Sequence, residues 1–200
     1  MTLKAVVGLG NPGARYEATR HNVGWWLLDL LKRRWSATPF QQEDLWLRST
    51  CELPEAGSVW LIKPLTYVNR SGLAVRTLVE SGSIEVPSDL LIVVDDVALD
   101  LGRPRFRARG SAGGHNGLES IEAALGTREY ARLRIGVGSA GAGQDLSDWV
   151  LSEFDDPQDE DAVLDALPHL AEGVEEWARA GIESAMNRFN VRDETEDQNS

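Results

Sequence analysis

Apolar residues recur along this chain at two periods, and the switches between them mark its elements. Leu3 to Leu9 is an apolar run, interrupted only by Lys4 and closed by glycine, which predicts a buried strand. Gly10-Asn-Pro-Gly13 predicts a turn. Thr19 is a candidate cap for a helix from about Arg20 to Trp35, where Val23, Trp26, Leu27, Leu30 and Leu31 fall at helical spacing. Leu45–Leu53 and Ser58–Lys63 read as two strands of a hairpin. A helix from Ser71 to about Ser81 ends at Gly82; Leu90–Val94 is a buried strand that runs into Asp95-Asp96. Arg103–Arg109 alternates, Leu118–Leu125 is a helix stopped by Gly126, and Ala131–Gly138 is a strand. After Pro157 the chain is mainly helical, with Val163, Leu164, Leu167, Leu170, Ala171 and Val174 on one side.

Strands alternating with helices, the best strands apolar throughout, predict an α/β fold: a single domain with a mixed, largely parallel twisted sheet flanked by helices. The hairpin makes the sheet mixed. With no repeat and no dividing linker, residues 1–191 are expected to form the domain and residues 192–200 a disordered acidic tail. No apolar run approaches the length of a membrane span, and the first residues lack the pattern of a signal peptide. The single cysteine, Cys51, excludes an internal disulfide and suits a reducing cytoplasm; it reads as a half-buried strand residue, and zinc-type Cys/His spacing is absent.

The net charge of −12 argues against a nucleic-acid partner until its distribution is considered. Residues 1–150 balance, with 17 Lys+Arg against 17 Asp+Glu; residues 151–200 hold 3 against 15 and carry the whole excess. Arg103, Arg105, Arg107 and Arg109 occupy alternate positions, so in a strand all four would share a face. Four like charges on one face call for an anionic partner, and phosphates fit; Arg132 and Arg134 extend the set. The competing reading pairs these arginines with the acidic C-terminal third.

Gly8-Leu-Gly-Asn-Pro-Gly13 matches the dinucleotide-binding pattern, but its helix starts several residues late, and the nearest acid at the expected distance, Asp29, falls inside a helix. The glycines instead suit a sharp turn that holds Asn11 at the carboxyl edge of the sheet. Other polar groups gather after strand ends: Asn69, Asp95-Asp96, His21 at the first helix start, and His115-Asn116 after a glycine-rich stretch. A histidine with a carboxylate on its other ring nitrogen can activate water at neutral pH, and an acid ending a buried strand, such as Asp96, is well placed to be that carboxylate. Asparagine amides can hold a carbonyl or an oxyanion. Each group has a plainer role open to it: Asp95 and Asp96 as turn caps, Asn69 as a helix cap, His21 as a surface residue near a helix start, and His115 as a packing or capping residue.

The motifs together resemble bacterial peptidyl-tRNA hydrolase. The resemblance rests on Val7-Gly-Leu-Gly-Asn-Pro-Gly13, Thr19-Arg-His-Asn-Val-Gly24, Lys63-Pro-Leu-Thr-Tyr-Val-Asn-Arg-Ser-Gly72, Asp95-Asp96, Gly113-Gly-His-Asn-Gly-Leu118 and Arg132-Leu-Arg-Ile-Gly-Val-Gly138, and it runs from about Leu3 to Asn190. It implies an esterase that frees tRNA and peptide from peptidyl-tRNA, working as a monomer without cofactor or metal. It implies His21 as catalytic base with Asp96 as partner. Asn11, Tyr16, Tyr67, Asn69, His115 and Asn116 are then substrate-binding, and Arg105, Arg107 and Arg134 face phosphates of the acceptor stem and 3′ end. Three places depart from the family pattern: Tyr67-Val68 stands where Phe-Met is common, Ser139-Ala140 where a basic residue and proline are usual, and Val97-Ala98 follows Asp96.

Overall fold

The runs Ala5–Leu9 and Leu90–Val94 lack polar interruptions, can be buried on both faces, and lie side by side in the middle of the sheet. In the computed structural model, which describes residues 3–141 and 143–190, β1 (Leu3–Gly8), β4 (Gly57–Pro64), β5 (Leu90–Asp96) and β7 (Ala131–Gly136) lie parallel. Three strands add antiparallel: β3 (Trp46–Leu53) on β4, β2 (Gln41–Gln42) on β3, and β6 (Pro104–Arg107) on β7. The order is β2-β3-β4-β1-β5-β7-β6, a mixed seven-stranded sheet.

Strand alternation sends side chains to two cores. Val6, Leu61, Leu91, Val93 and Leu133 face α1 (Val23–Arg34), α5 (Pro157–Ala180) and α6 (Ile182–Phe189). Val7, Ile62, Leu90, Ile92 and Val94 face α2 (Ser71–Glu80) and α3 (Asn116–Leu125). A short α4 (Leu146–Val150), capped by the Asp145 side chain, and the two-residue β2 were not foreseen from the sequence.

The glycines at the N-terminus bring α1 against the sheet. A Cβ on Gly8 would stand 2.6 Å from the carbonyl oxygen of Gly24, and one on Gly24 would stand 2.7 Å from that of Leu9. These residues therefore serve helix–strand approach, and α1 begins only at Val23, too late to present its free N–H groups to a phosphate held by the turn. Thr19 does not cap it; its hydroxyl donates to the carbonyl of Tyr16, and a separate 3-10 turn, Arg20–Asn22, precedes the helix.

The arginine run is shorter as a strand than its alternation predicts. Opposite Arg107 stands Arg132, one residue past the start of β7, so no partner strand remains for Arg109. Arg105 and Arg107 therefore share a strand face, whereas Arg103 lies 3.7 Å from Asp100 and Arg109 3.7 Å from Glu129. Acids of the C-terminal third do meet arginines, among them Arg20 with Asp155, Arg34 with Glu175, and Arg179 and Arg188 with Glu176. Among the described residues no helix is long and apolar enough to cross a membrane. The tail expected over 192–200 lies outside the described residues.

Candidate active site

The parallel strands point their carboxyl ends to one edge, and the segments leaving β1, β4 and β5 meet there around a cleft of about 360 Å³. All three residues of the turn Arg20–Asn22 are buried, and each side chain leaves toward a different element. Asn22 reads the backbone of Asn11 twice: its Oδ1 accepts the Asn11 N–H at 2.8 Å, and its Nδ2 donates to the Asn11 carbonyl at 3.0 Å. Asn11 Oδ1 in turn accepts the Val68 N–H at 2.9 Å, so the amide nitrogen of Asn11 is the end left for the cleft that this residue lines.

His21 meets Asp95 rather than Asp96. Its Nδ1 lies 2.7 Å from Asp95 Oδ1, and His115 Nε2 lies 3.0 Å from the same oxygen. The tautomers follow from the hydrogen-bond network. His115 caps α3, its Nδ1 accepting the N–H groups of Gly117 and Leu118 at 3.1 and 3.3 Å, so its proton is on Nε2 and is donated to Asp95. The carboxylate only accepts, so His21 must donate through Nδ1, and its Nε2 keeps a free lone pair.

The charges agree with that assignment. Burial disfavours the His21 imidazolium, but the charge of Asp95 and its hydrogen bond outweigh burial and raise the group above histidine's usual 6.5. Burial would raise Asp95 as well; the two imidazoles overcome it and hold the carboxyl well below the usual carboxylate range. A base must be neutral to act. Activity that depends on His21 is therefore lost as pH falls through a value above 6.5.

The expected His21–Asp96 contact is thus corrected, and the reason is parity. Successive strand residues face opposite ways. Asp95 continues the Leu91–Val93 series, the face that α1 and its preceding turn cover, whereas Asp96 continues Ile92–Val94. Asp96 accepts from Arg134 Nη1 at 3.1 Å and from the Ala98 N–H at 2.9 Å, and it lines the cleft with its hydrogen bonds made to these groups rather than to the imidazole.

The candidates for substrate binding converge on the same cleft, including exposed Asn69 and exposed Asn116 at the start of α3, whereas Arg105 and Arg107 do not line it. Asn69 does not cap α2, which has no side-chain cap. Tyr16 and Tyr67 meet edge to face, centroids 6.2 Å apart, at the cleft wall. Arg134 also lines it, but its fork is engaged by Asp96 and by the carbonyls of Ser111 and Ala112 at 3.0 and 2.9 Å, which ties down the loop leading to His115. Arg105 is its register partner, so the β6 edge adjoins the cleft.

Sequence reasoning missed the α4 side, where Leu146, Ser147, Val150 and Leu151 form a largely apolar wall. Asp145 followed by a Leu146/Val150 repeat was its available signal. The ligand-type atoms of His21, Asp95 and His115 lie within 4.8 Å of one another, close enough to hold a metal, but both contacts to Asp95 are accounted for as N–H donors on one oxygen. Cys51 is distant in role as well as place: burial, with a smaller push from Glu52, raises its thiol to about 11, so it is inert at neutral pH.

An imidazole oriented by a buried carboxylate, in an open cleft at the edge of an α/β sheet, is the arrangement of a hydrolytic enzyme. Comparison with known proteins says which kind. The peptidyl-tRNA hydrolase family model matches residues 5–198. The chain is 48% identical over 189 residues to the peptidyl-tRNA hydrolase of Symbiobacterium thermophilum, covering 94% of this chain and 99% of the relative. It is 43% identical to that of Gemmatimonas aurantiaca over 92% of this chain and 98% of the relative. The crystal structure of the Acinetobacter baumannii peptidyl-tRNA hydrolase superposes with a TM-score of 0.85 at 30% identity, over 94% of this chain and 95% of that one. The chain belongs to the peptidyl-tRNA hydrolase family, enzymes that act on an ester bond.

Proposed function

We propose that this chain hydrolyses the ester between peptide and tRNA by general-base catalysis, with His21 as base and Asp95, not Asp96, as its partner. The observation that carries the reading is the 2.7 Å contact between His21 Nδ1 and a buried carboxylate, which leaves Nε2 ready to accept a proton. In the proposed reaction Nε2 takes a proton from water and the hydroxyl oxygen attacks the ester carbonyl carbon. The tetrahedral intermediate collapses as the carbon–oxygen bond to the 3′ ribose breaks, and the proton passes from His21 to the departing ribose oxygen. The products are a peptide carboxylate and tRNA with a free 3′ hydroxyl. Asp95 fixes the tautomer and offsets the imidazolium charge while His115 holds Asp95.

The amide of Asn11, with Asn69 and Asn116 across the cleft, supplies donors for the carbonyl oxygen or the 3′ end. Tyr67 and Tyr16 form an aromatic side of the site. Neither a metal nor a cofactor enters this scheme. A monomer in the cytoplasm, where ribosomes release peptidyl-tRNA, suffices for it.

Arg105 and Arg107 are assigned to acceptor-stem phosphates, with Arg134 adding positive charge behind them while it holds the loop. Replacing both by alanine is expected to weaken tRNA binding and to flatten the dependence of log Kd on log salt by about one to two. Fluorescence anisotropy over a salt series checks it; an unchanged slope counts against the patch. The assay for the whole reading is release of tRNA from an N-blocked aminoacyl-tRNA. Binding of that RNA without turnover would contradict it.

A further inference from the structure

α4 walls the cleft, yet none of its residues is buried, so it has no core of its own to hold it in place. It is tied at two points: Trp149 Nε1 donates to the Gly138 carbonyl at 3.1 Å, and the segment is gripped by Arg20, the residue before the base. The Arg20 side chain is fully buried, and its guanidinium lies 3.5 Å from the ring centroid of Trp149 in α4 and 4.7 Å from that of Phe154. Its Nη1 donates to Ser152 Oγ at 2.6 Å and to the Glu153 carbonyl at 2.5 Å. The backbone repeats the link: the Arg20 N–H donates to the Ser152 carbonyl at 3.1 Å, and Thr19 bridges Glu153. Asp155 pairs with the guanidinium at 3.4 Å but is itself 81% exposed, a pairing that water screens. The ring and the carbonyls therefore carry the attachment.

We propose that Arg20 is a positioning residue that clamps the α4 wall to the turn bearing His21, so that the apolar side chains of Leu146, Val150 and Leu151 stand at a fixed distance from the imidazole and receive the side chains of the peptide. The inference rests on the ester-hydrolysis reading. An apolar residue in place of Arg20 would fill the space but could not bond the carbonyls of the α4 segment. Lysine keeps the charge but loses the planar fork that covers ring and carbonyls together.

The consequence is selective. A loosened wall weakens contact with a substrate that reaches it and leaves a substrate that does not reach it unaffected. For Arg20→Lys and for Trp149→Leu, KM for an N-blocked tripeptidyl-tRNA with apolar side chains is expected to rise about tenfold. KM for formyl-glycyl-tRNA should stay within about twofold, with kcat for both near wild type. The double variant should do no more than either single one, because the pair acts as a unit. Trp149→Phe, which keeps an aromatic face against Arg20 but gives up the bond to the Gly138 carbonyl, should restore most of the preference.

Steady-state kinetics on the two substrates tests this. Equal losses on both substrates, additive effects in the double variant, or no recovery with phenylalanine would overturn the proposal. Should Arg20→Lys fail to fold, the Trp149 pair of variants alone decides between the same outcomes. A wild-type chain that cleaves neither substrate would overturn the hydrolysis reading itself, a result distinct from loss of the preference.

Discussion

Asp95→Asn is expected to lower kcat by about 10²–10⁴, the range set by the loss of a histidine's orienting carboxylate in other hydrolytic sites. Asp96→Asn, one residue away, should cost less than about tenfold. The reason is local. Asp95 Oδ1 receives both the His21 Nδ1–H and the His115 Nε2–H. An asparagine that presents its amide nitrogen there would meet two donors with a third and fourth; presenting its oxygen, it would carry no charge to stabilise the imidazolium. The change also removes the main cause that raises His21, so what activity remains should keep its acid limb at lower pH than wild type. Asp96 instead bonds Arg134 and the Ala98 N–H, and its loss should loosen the turn after β5 without disturbing the imidazole. Single-turnover hydrolysis of an N-blocked aminoacyl-tRNA compares the two; a larger loss at Asp96 would reverse the assignment.

His21→Ala should lower the same rate by at least ~10², about 2.7 kcal/mol of transition-state stabilisation, while leaving tRNA affinity nearly intact. The separation is expected because the imidazole sits under the cleft, buried against Asp95, and the strand proposed to meet phosphate is β6. His21 is one of two donors to buried Asp95 and packs beside His115, centroids 5.1 Å apart, so its loss costs stability, but the turn stays held by Asn22 on Asn11 and by Arg20 on the α4 segment. A cooperative melting curve with its midpoint still above the assay temperature, beside the kinetic loss, distinguishes lost chemistry from lost structure. Near-normal turnover would remove His21 from the mechanism.

How much of this was legible in the sequence depended on whether the signal was local. The strand Leu90–Val94 announces itself by burial on both faces, and the turn of glycine, asparagine and proline after β1 announces a break before α1. Those features place Asn11, His21 and the two aspartates at one sheet edge. Choosing between Asp95 and Asp96 needs the face of the strand that α1 covers, a tertiary fact; a shift of one residue reverses the answer. The cap that His115 places on α3 is local and open to sequence reasoning, but its second use, as donor to Asp95, is visible only once α3 is docked.

Two further features were hidden for related reasons. The alternation over Arg103–Arg109 promised a four-residue face, but a strand extends only as far as its neighbour does, and β7 begins at Ala131. The α4 wall has too few residues for its period to show and is held by Arg20, 129 positions before Trp149 in the chain. By contrast, the glycine pattern that imitates a nucleotide site can be weighed on local grounds, and the 2.6 Å that would separate a Cβ on Gly8 from the Gly24 carbonyl oxygen shows what that glycine does.

The most direct test of the central claim is the protonation of the His21 ring nitrogens, followed by ¹H–¹⁵N NMR across the pH range of the reaction. At pH 9 the account predicts a proton on Nδ1 and none on Nε2, with Nε2 gaining its proton at a pH above 6.5 that coincides with the acid limb of kcat/KM. A neutral ring protonated on Nε2, or a titration that runs apart from the rate, would contradict it.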